Sequence, residues 1–543
     1  MQIIKRHLPF VIFIAIYAVL RLVLMNINYT EWGDTFRMIR GADYLSLLTW
    51  PWDEKRWPFY SFLLIPGILM NNPVGWGRLL AIFISIANLV LVYKFAKHFF
   101  SAFSNKNVAE KVSNLFALIA VFITAFNSVF LYWSFRVMAD PVFALMVMLF
   151  FYSFIYRKTS NIKINFLMSL LLLAITMTRL EGLFVLVSVC LYFFLQKNFR
   201  LLFLYSLPQL LIYLPWTVYS KFIYSGSVEN NYFNEAQSFE FNLQRISYFG
   251  FYTLFILGSP ILLYFLIIGI QNIYKRLDFK SSQHSRYLPL ALFLLMEFGI
   301  GFIWTPSLPR IYMPVIPFLS IICAYGILKF KFPLDLDLKA RLFLVLGFFS
   351  VLFLGGQVFF RMYFFGASKL LLPLLAICIG VVLVLAFSNR KTFLKYFVFF
   401  TFTYLILQSG TVLYNQKDIY KSVKMGIDGT LLKENSKIAF SDETGNTAWY
   451  LRTNGFYVKP DILFETSNDQ YNFLKVNEVE YILVTNEFNR GSSLQDPRGD
   501  QRYLLEQVYS IPQHDLIEYI IGVLKVYPEA PTQVFVTKLY KVI

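Results

Sequence analysis

The chain has 543 residues, of which 57% are hydrophobic and only 15% charged. Soluble domains carry nearer a quarter charged residues. The apolar residues here fall in blocks of about 17–25, the length of a helix crossing a hydrocarbon core, which excludes a water-soluble globular protein. The net charge of +17 fits Lys and Arg retained in inner loops rather than a nucleic-acid surface.

The blocks predict about thirteen spans, near residues 8–26, 77–97, 112–133, 138–156, 164–179, 182–196, 201–220, 247–270, 288–304, 311–328, 342–360, 370–387 and 396–413. Lys5, Arg6 and His7 precede the run from Leu8 to Met25. No small-residue cleavage site follows, so this run reads as a retained first helix rather than a signal peptide. The first outer loop, about residues 27–76, carries Trp32, Trp50, Trp52, Trp57, Tyr44 and Tyr60, residue types that settle at a membrane–water interface. Within it, Thr35–Leu48 has an amphipathic helical pattern, and Pro58–Met70 is apolar but too short to span, so it reads as a partly immersed helix. The fifth and sixth spans are short, and the break at Thr178–Gly182 leaves a hairpin and a single long helix both open. A second outer loop, about 221–246, is polar and shapes an entrance in this reading.

With the N-terminus inside, the inner segments hold about 22 basic residues and few acids, against about 12 basic residues and about ten acids outside. The odd number of spans places the C-terminus outside. Residues 1–413 then form the membrane domain and residues 414–543 an extracytoplasmic α/β domain. Its short apolar runs at Lys437–Phe440, Tyr481–Val484 and Val534–Val536 read as strands, with helical pattern near Asp469–Val476 and Gln501–Val508. Cys190, Cys323 and Cys378 lie inside apolar runs without metal-ligand spacing and read as packing residues.

Ionisable groups in or beside spans are costly, about 2.5–3.5 kcal/mol each at a helix centre, and are functional candidates by default. Asp34, Arg37, Arg136, Asp140, Arg179, Glu181 and Arg310 all fall at outer span ends or in outer loops, the arrangement expected around an anionic lipid head group. Each also has a structural reading. Asp34 follows Gly33 and suits a helix cap. Asp140 precedes Pro141 and suits the start of the fourth span. Arg179 and Glu181 suit an ion pair at a hairpin tip, and Arg310 suits snorkelling. Arg21 reads as snorkelling or contacting another helix. Glu297, mid-span in Leu-Met-Glu-Phe-Gly, reads as a buried, protonated or hydrogen-bonded carboxyl.

Taken in order, these stretches resemble the membrane-embedded GT-C glycosyltransferases, in particular the protein O-mannosyltransferase and aminoarabinose (lipid A) transferase branch. The matching elements are Gly33-Asp34-Thr35-Phe36-Arg37, Arg56-Trp57-Pro58-Phe59-Tyr60, Gly75-Trp76-Gly77-Arg78, Arg136-Val137-Met138-Ala139-Asp140-Pro141, Met177-Thr178-Arg179-Leu180-Glu181-Gly182, and Arg310-Ile311-Tyr312-Met313-Pro314 with Pro317 beyond. The resemblance covers roughly residues 8–330. Thr35 departs from the acidic residue of the branch pattern, and Trp57 from its basic residue or Pro.

The resemblance implies an enzyme of the cytoplasmic (inner) membrane that takes a sugar from a polyprenyl-phosphate donor at the outer face and passes it, with inversion, to a hydroxyl on a lipid, glycan or protein. Asp34 and Asp140 are the implied catalytic carboxylates, Asp34 as general base. Arg37, Arg56 and Arg310 are the implied phosphate ligands, with Arg136, Arg179, Glu181, Tyr60 and Tyr312 in support. No nucleotide-binding Gly-rich loop is present. Asp34 and Asp140 could ligate a divalent metal, but the set lacks further clear oxygen ligands, so a metal is left open and none is predicted. Two rival readings are a flippase of lipid-linked sugars, which would show internal repeats not evident here, and a non-catalytic membrane scaffold.

Overall fold

The computed structural model describes residues 2–219, 260–329 and 420–543, with scattered positions between 402 and 413. Residues 32, 51–55, 104–109, 157–160, 278–281 and 304–308 are left out of the first two stretches, and 432–435, 442–445, 452–454, 459–461, 463, 487–493 and 514–532 out of the third. The loop 221–246, Cys378, the predicted spans at 342–360 and 370–387, and much of those at 247–270 and 396–413 lie outside the described residues. The chain divides into two units, residues 1–23 with 41–412, and residues 24–40 with 413–543.

The first unit is helical. Its elements are α1 (Gln2–Val23), the C-terminal part of α2 (Gly33–Ser46), α3 (Pro58–Leu69), α4 (Pro73–Phe103), α5 (Glu110–Ala125), α6 (Ser128–Ser134), α7 (Ala139–Tyr156), α8 (Ile162–Thr176), α9 (Gly182–Leu195), α10 (Phe199–Pro208), α11 (Leu214–Val218), α12 (Pro260–Tyr274), α13 (Leu288–Ile303) and α14 (Ile316–Lys329). Among the described residues, Pro73–Phe103, Ala139–Tyr156 and Phe199–Val218 are long and apolar enough to cross a membrane. Shorter apolar helices occupy the predicted spans near 8–26, 164–179, 182–196, 288–304 and 311–328. Helix starts are written in the sequence. Proline opens α3, α4 and α12, where its missing N–H goes unneeded. Asn161 caps α8 through Lys163 N at 2.9 Å, and Asn198 caps α10 through Leu201 N at 3.2 Å.

The third and seventh spans differ from the sequence reading, and the break left open between the fifth and sixth is a real one. The third is not one helix: α5 and α6 meet at an angle of 64°. Asn127 is the cause, because its side chain accepts from Val129 N at 3.1 Å and Phe130 N at 3.0 Å and starts a new helix inside an apolar run. The stretch between 164 and 196 is two helices, parted by a turn at 177–181. Gly182 is obligatory there, since a Cβ would lie 2.7 Å from Ile175 O. In the seventh span a π-helical turn, Gln209–Tyr213, separates α10 from α11. Pro215 follows it and can neither donate an N–H nor tolerate a normal turn beneath its ring.

Packing depends on small residues at helix crossings, as expected where lipid supplies no hydrophobic contrast. A Cβ on Gly326 of α14 would collide with Phe265 O of α12, and one on Gly269 with Ile322 O. Trp50 and Trp57 are 6% and 5% exposed. They pack edge-on to Trp216 at 5.6 Å and tilted on Tyr213 at 5.1 Å, respectively.

The second unit holds a five-stranded sheet of order β2-β1-β3-β5-β4, from β1 (Ile438–Phe440), β2 (Gly455–Tyr457), β3 (Tyr481–Thr485), β4 (Tyr503–Gln513) and β5 (Gln533–Val542). β1 runs parallel to β2 and β3, and β5 antiparallel to β3 and β4. The strands β1, β3 and β5 bury alternate residues on the two faces of the sheet. Ala439, Ile482 and Tyr540 join Leu474 of α17 (Ser467–Val476) in one cluster. Ile438, Phe440, Tyr481, Leu483 and Leu539 join Val423 and Ile427 of α15 (Lys421–Leu431) in the other. A short α16 (Asn446–Leu451) adds Leu451 to the second cluster. The helical pattern expected near Gln501–Val508 is overturned. Those residues enter β4, which pairs with β5 from Tyr503↔Val542 to Gln513↔Gln533. A register shift at Leu505/Gln507 breaks the alternation that would have marked a strand.

Candidate active site

The α6–α7 linker and the α8–α9 turn carry most of the charged residues singled out by sequence, and both belong to the first unit. The linker is fixed from three sides. Arg21 of α1, 2% exposed, donates to Ser134 Oγ at 3.0 Å and to Ser134 O, and its guanidinium lies 3.6 Å from the Phe135 ring centre. Arg21 therefore holds another element and does not snorkel. Gly77 of α4 lets Val137 approach, since a Cβ there would lie 2.5 Å from Val137 Cγ1. Asn88, lower on α4, donates to Pro141 O at 3.1 Å, just inside α7. The glycine of the Gly-Trp-Gly-Arg element thus serves close packing of the helix against the linker.

Between these restraints, Arg136 is fully buried. It donates to Tyr132 Oη at 3.0 Å and lies 4.6 Å from that ring centre. Asp140, 2% exposed in the first turn of α7, accepts a hydrogen bond and ion pair from Arg179. The same guanidinium grips Glu181, with Nε 3.2 Å from each carboxylate oxygen and its Nη2 on Oε1. One arginine therefore bridges two buried carboxylates, using its fork of donors on both sides. Asp140 does more than begin a helix, and the Arg179–Glu181 pair has a third member.

Arg310 lies in a 3-10 turn, Pro309–Tyr312, ahead of α14. Its guanidinium is 5.3 Å from the Trp133 ring centre. Its charge also reaches Glu181. Burial pushes the Glu181 carboxyl up, but Arg179, aided by Arg310, outweighs burial and holds it below its ordinary value. Tyr312 is fully buried and stacks on Phe298 of α13 at 5.9 Å. The first-loop element docks on the α8–α9 turn, where Phe59 N donates to Met177 O at 3.0 Å. Arg56 is partly exposed just before it, and Tyr60 is 1% exposed just after.

Asp34 and Arg37 belong to the second unit, in the first turns of α2, and both are half-buried. Phe36 between them meets Tyr450 of α16 edge-on at 5.6 Å. Lys421 lies 5.1 Å from the ring centre of Tyr29 in the same unit. Among the described residues no group of three or more His, Cys, Asp or Glu side chains is placed to hold a metal ion.

Sequence reasoning passed over two residues that shape this region. Asn127 creates the α5–α6 break, and a lone Asn in a run of apolar residues was the available signal. Gln209 accepts from Thr176 Oγ1 at 2.8 Å just before the Arg179 turn, and the nearby prolines 208 and 215 were the signal for its irregular helix.

The described residues thus form a bundle of apolar helices with a bent α5–α6 pair and a first-loop helix docked on the α8–α9 turn, and a separate C-terminal α/β unit. The structure of ArnT from Cupriavidus metallidurans bound to undecaprenyl phosphate is similar to this chain over 88% of its length and 92% of ArnT's, at 13% identity and a TM-score of 0.52. The same protein in its apo state gives a TM-score of 0.50. The Archaeoglobus fulgidus oligosaccharyltransferase tethered to an acceptor peptide gives 0.44 at 11% identity, over 87% of this chain and 69% of that one. No family model matches the sequence, and no curated protein matches it. The chain therefore has the GT-C fold.

Proposed function

We propose that the chain transfers a sugar from a polyprenyl-phosphate donor to a hydroxyl acceptor at the outer face of a membrane, with inversion at the anomeric carbon. One observation carries the reading. In a fold shared with a protein seen holding undecaprenyl phosphate, Asp140, Arg179 and Glu181 form a buried charged cluster within the field of Arg310. Such a cluster is costly inside a bilayer and is kept where anionic substrates are handled.

In the proposed reaction the acceptor oxygen bonds to the anomeric carbon while the bond from that carbon to the phosphate oxygen breaks. Asp34 takes the hydroxyl proton. The electron pair of the broken bond leaves on the lipid phosphate, which gains a negative charge. Arg37, Arg56 and Arg310 meet that charge, because preorganised guanidinium groups are worth most where charge develops. Asp140 accepts hydrogen bonds from the sugar. Arg136, Arg179 and Glu181 keep it aimed, and Tyr60 and Tyr312 bound the sugar. The acceptor is a lipid, glycan or protein hydroxyl.

The test is Asp34→Asn in the full-length protein reconstituted in lipid vesicles, with mass spectrometry of the products formed from lipid-linked sugars. Transfer should fall by about 10²–10⁴, the usual worth of a general base, with expression and binding of polyprenyl phosphate retained. Wild-type transfer that survives the substitution moves the base elsewhere. Movement of lipid-linked sugar across the bilayer with no new glycosidic bond supports a flippase instead.

A further inference from the structure

Three polar groups are left over where the first loop packs on the α10–α11 segment. Trp50 is 6% and Gln209 5% exposed, and Trp216 is half-buried. The indole N–H of Trp50, that of Trp216 and the carboxamide nitrogen of Gln209 are shielded from solvent, and among the described residues none has a hydrogen-bond partner. A buried tryptophan N–H ordinarily finds an acceptor, and a buried donor without one costs stability.

The contacts line these groups up in one strip. Gln209 meets Thr176 of α8 at 2.8 Å. Tyr213 packs on Trp57 at 5.1 Å, and Trp216 on Trp50 at 5.6 Å. From Gln209 to Trp216 the helix rises about 10 Å. The strip adjoins the turn that carries Arg179, because Phe59, two residues past Trp57, donates to Met177 O beside Thr176.

Internal contacts do not satisfy the strip. The two indoles meet edge-on, at 73°, so one N–H can point at the other ring but not both. Thr176 has a single hydroxyl proton and lies 2.9 Å from Leu173 O as well as 2.8 Å from the Gln209 carboxamide. If the proton serves Gln209, the carboxamide nitrogen is left over. If it serves Leu173, the carboxamide turns round to donate to Thr176 and its oxygen is left over. A ligand hydroxyl both donates and accepts, so it satisfies either end.

We propose that this strip binds the acceptor, and that the acceptor is an uncharged carbohydrate laid along Trp50, Trp57, Gln209, Tyr213 and Trp216. The inference rests on the glycosyltransferase reading for the word acceptor, and it narrows that acceptor to a glycan. The five side chains are uncharged, which disfavours a phosphate. Their leftover polar groups disfavour an alkyl chain. Aromatic walls with a few placed polar groups are the usual make-up of a small-molecule site, and the ring faces suit the C–H faces of sugars.

The test is a tryptophan-fluorescence titration of the full-length protein in nanodiscs. The probes are neutral disaccharides of glucose, mannose, galactose and N-acetylglucosamine, with a Ser/Thr peptide and undecaprenyl phosphate as contrasts. At least one disaccharide should give a saturable change. Trp50→Phe keeps a ring and removes the N–H, and Gln209→Met keeps the length and removes the carboxamide. Each should weaken that binding about three- to tenfold, the worth of one hydrogen bond. Thermal stability of Gln209→Met should stay level or rise, since a buried polar group without a full set of partners is gone, and this variant decides the matter where the smaller ring of Trp50→Phe unsettles the fold. No saturable binding of any disaccharide, unchanged affinity in Gln209→Met, or a response to the peptide or undecaprenyl phosphate alone overturns the proposal. Where wild-type transfer is measured, Gln209→Met should raise KM for the acceptor about three- to tenfold, with kcat and KM for the lipid donor within about twofold. A rise in the donor KM in its place overturns it. Absence of transfer by the wild-type protein refutes the proposed function, and the titration then still decides whether the strip holds a sugar.

Discussion

Removing the Arg179 guanidinium strands two carboxylates in the first unit. Asp140 is 2% and Glu181 7% exposed, so water does little to replace the lost partner. Breaking a buried ion pair by deleting one member costs about 3–5 kcal/mol. Arg179 serves both acids, which places Arg179→Gln in the upper half of that range, about 4–5 kcal/mol, or roughly three orders of magnitude in the unfolding equilibrium. Arg179→Lys keeps the charge but not the fork, so it should fall between. The triple variant Arg179→Gln/Asp140→Asn/Glu181→Gln carries no stranded charge and should regain at least about 2 kcal/mol of the loss. The measurement is denaturant unfolding of the full-length protein in mixed micelles, followed by tryptophan fluorescence. A loss below about 1 kcal/mol for Arg179→Gln, or a triple variant no more stable than the single one, would refute the claim that this cluster is desolvated and bridged.

The α12–α14 crossing gives a second prediction. Gly326→Ala drives a methyl into the Phe265 carbonyl, and backbone cannot swing away as a flexible side chain would. It should cost about 1–3 kcal/mol in the same unfolding assay, whereas Gly299→Ala, with nothing within 4 Å of its Cβ, should not. The second unit has an acid-sensitive joint. Hydrogen bonds from Arg502 and Ser467 hold the Asp500 carboxyl well below the usual carboxylate range. A depressed folded pKa gives stability that is present above the unfolded value of about 3.9 and lost as pH falls through the folded one. Amide exchange in α17, whose first residue is Ser467, should therefore accelerate below about pH 4 beyond its intrinsic change, and Asp500→Asn should abolish that dependence.

What the sequence made legible follows from the range of each interaction. Arg179 and Glu181 are two residues apart, so their pairing could be read from a turn. The Asp140 contact spans 39 positions and depends on how α7 and the α8–α9 turn pack, which no local pattern encodes. Glu297 stood out as a charge in an apolar run, but its neighbours come from other helices. The strand at Tyr503–Gln513 was read as helical near its start because its register slips beside Gln507. The break at Asn127 was missed because hydropathy averages one polar residue into twenty apolar ones. The helical bundle itself was plain, since apolar block length is set by bilayer thickness and not by tertiary context.

The second unit joins residues 24–40 to residues 413–543. Residues 24–40 leave the ribosome well before residues 413–543 do. The 372 residues from 41 to 412 separate them, so at roughly 5–20 residues per second the wait is about 20–75 s. Phe36 has no Tyr450 to meet during that interval. A chain halted before residue 413 would insert most of its helices and still leave the segment bearing Asp34 without the strands it folds against, so assembly of that unit waits on their synthesis.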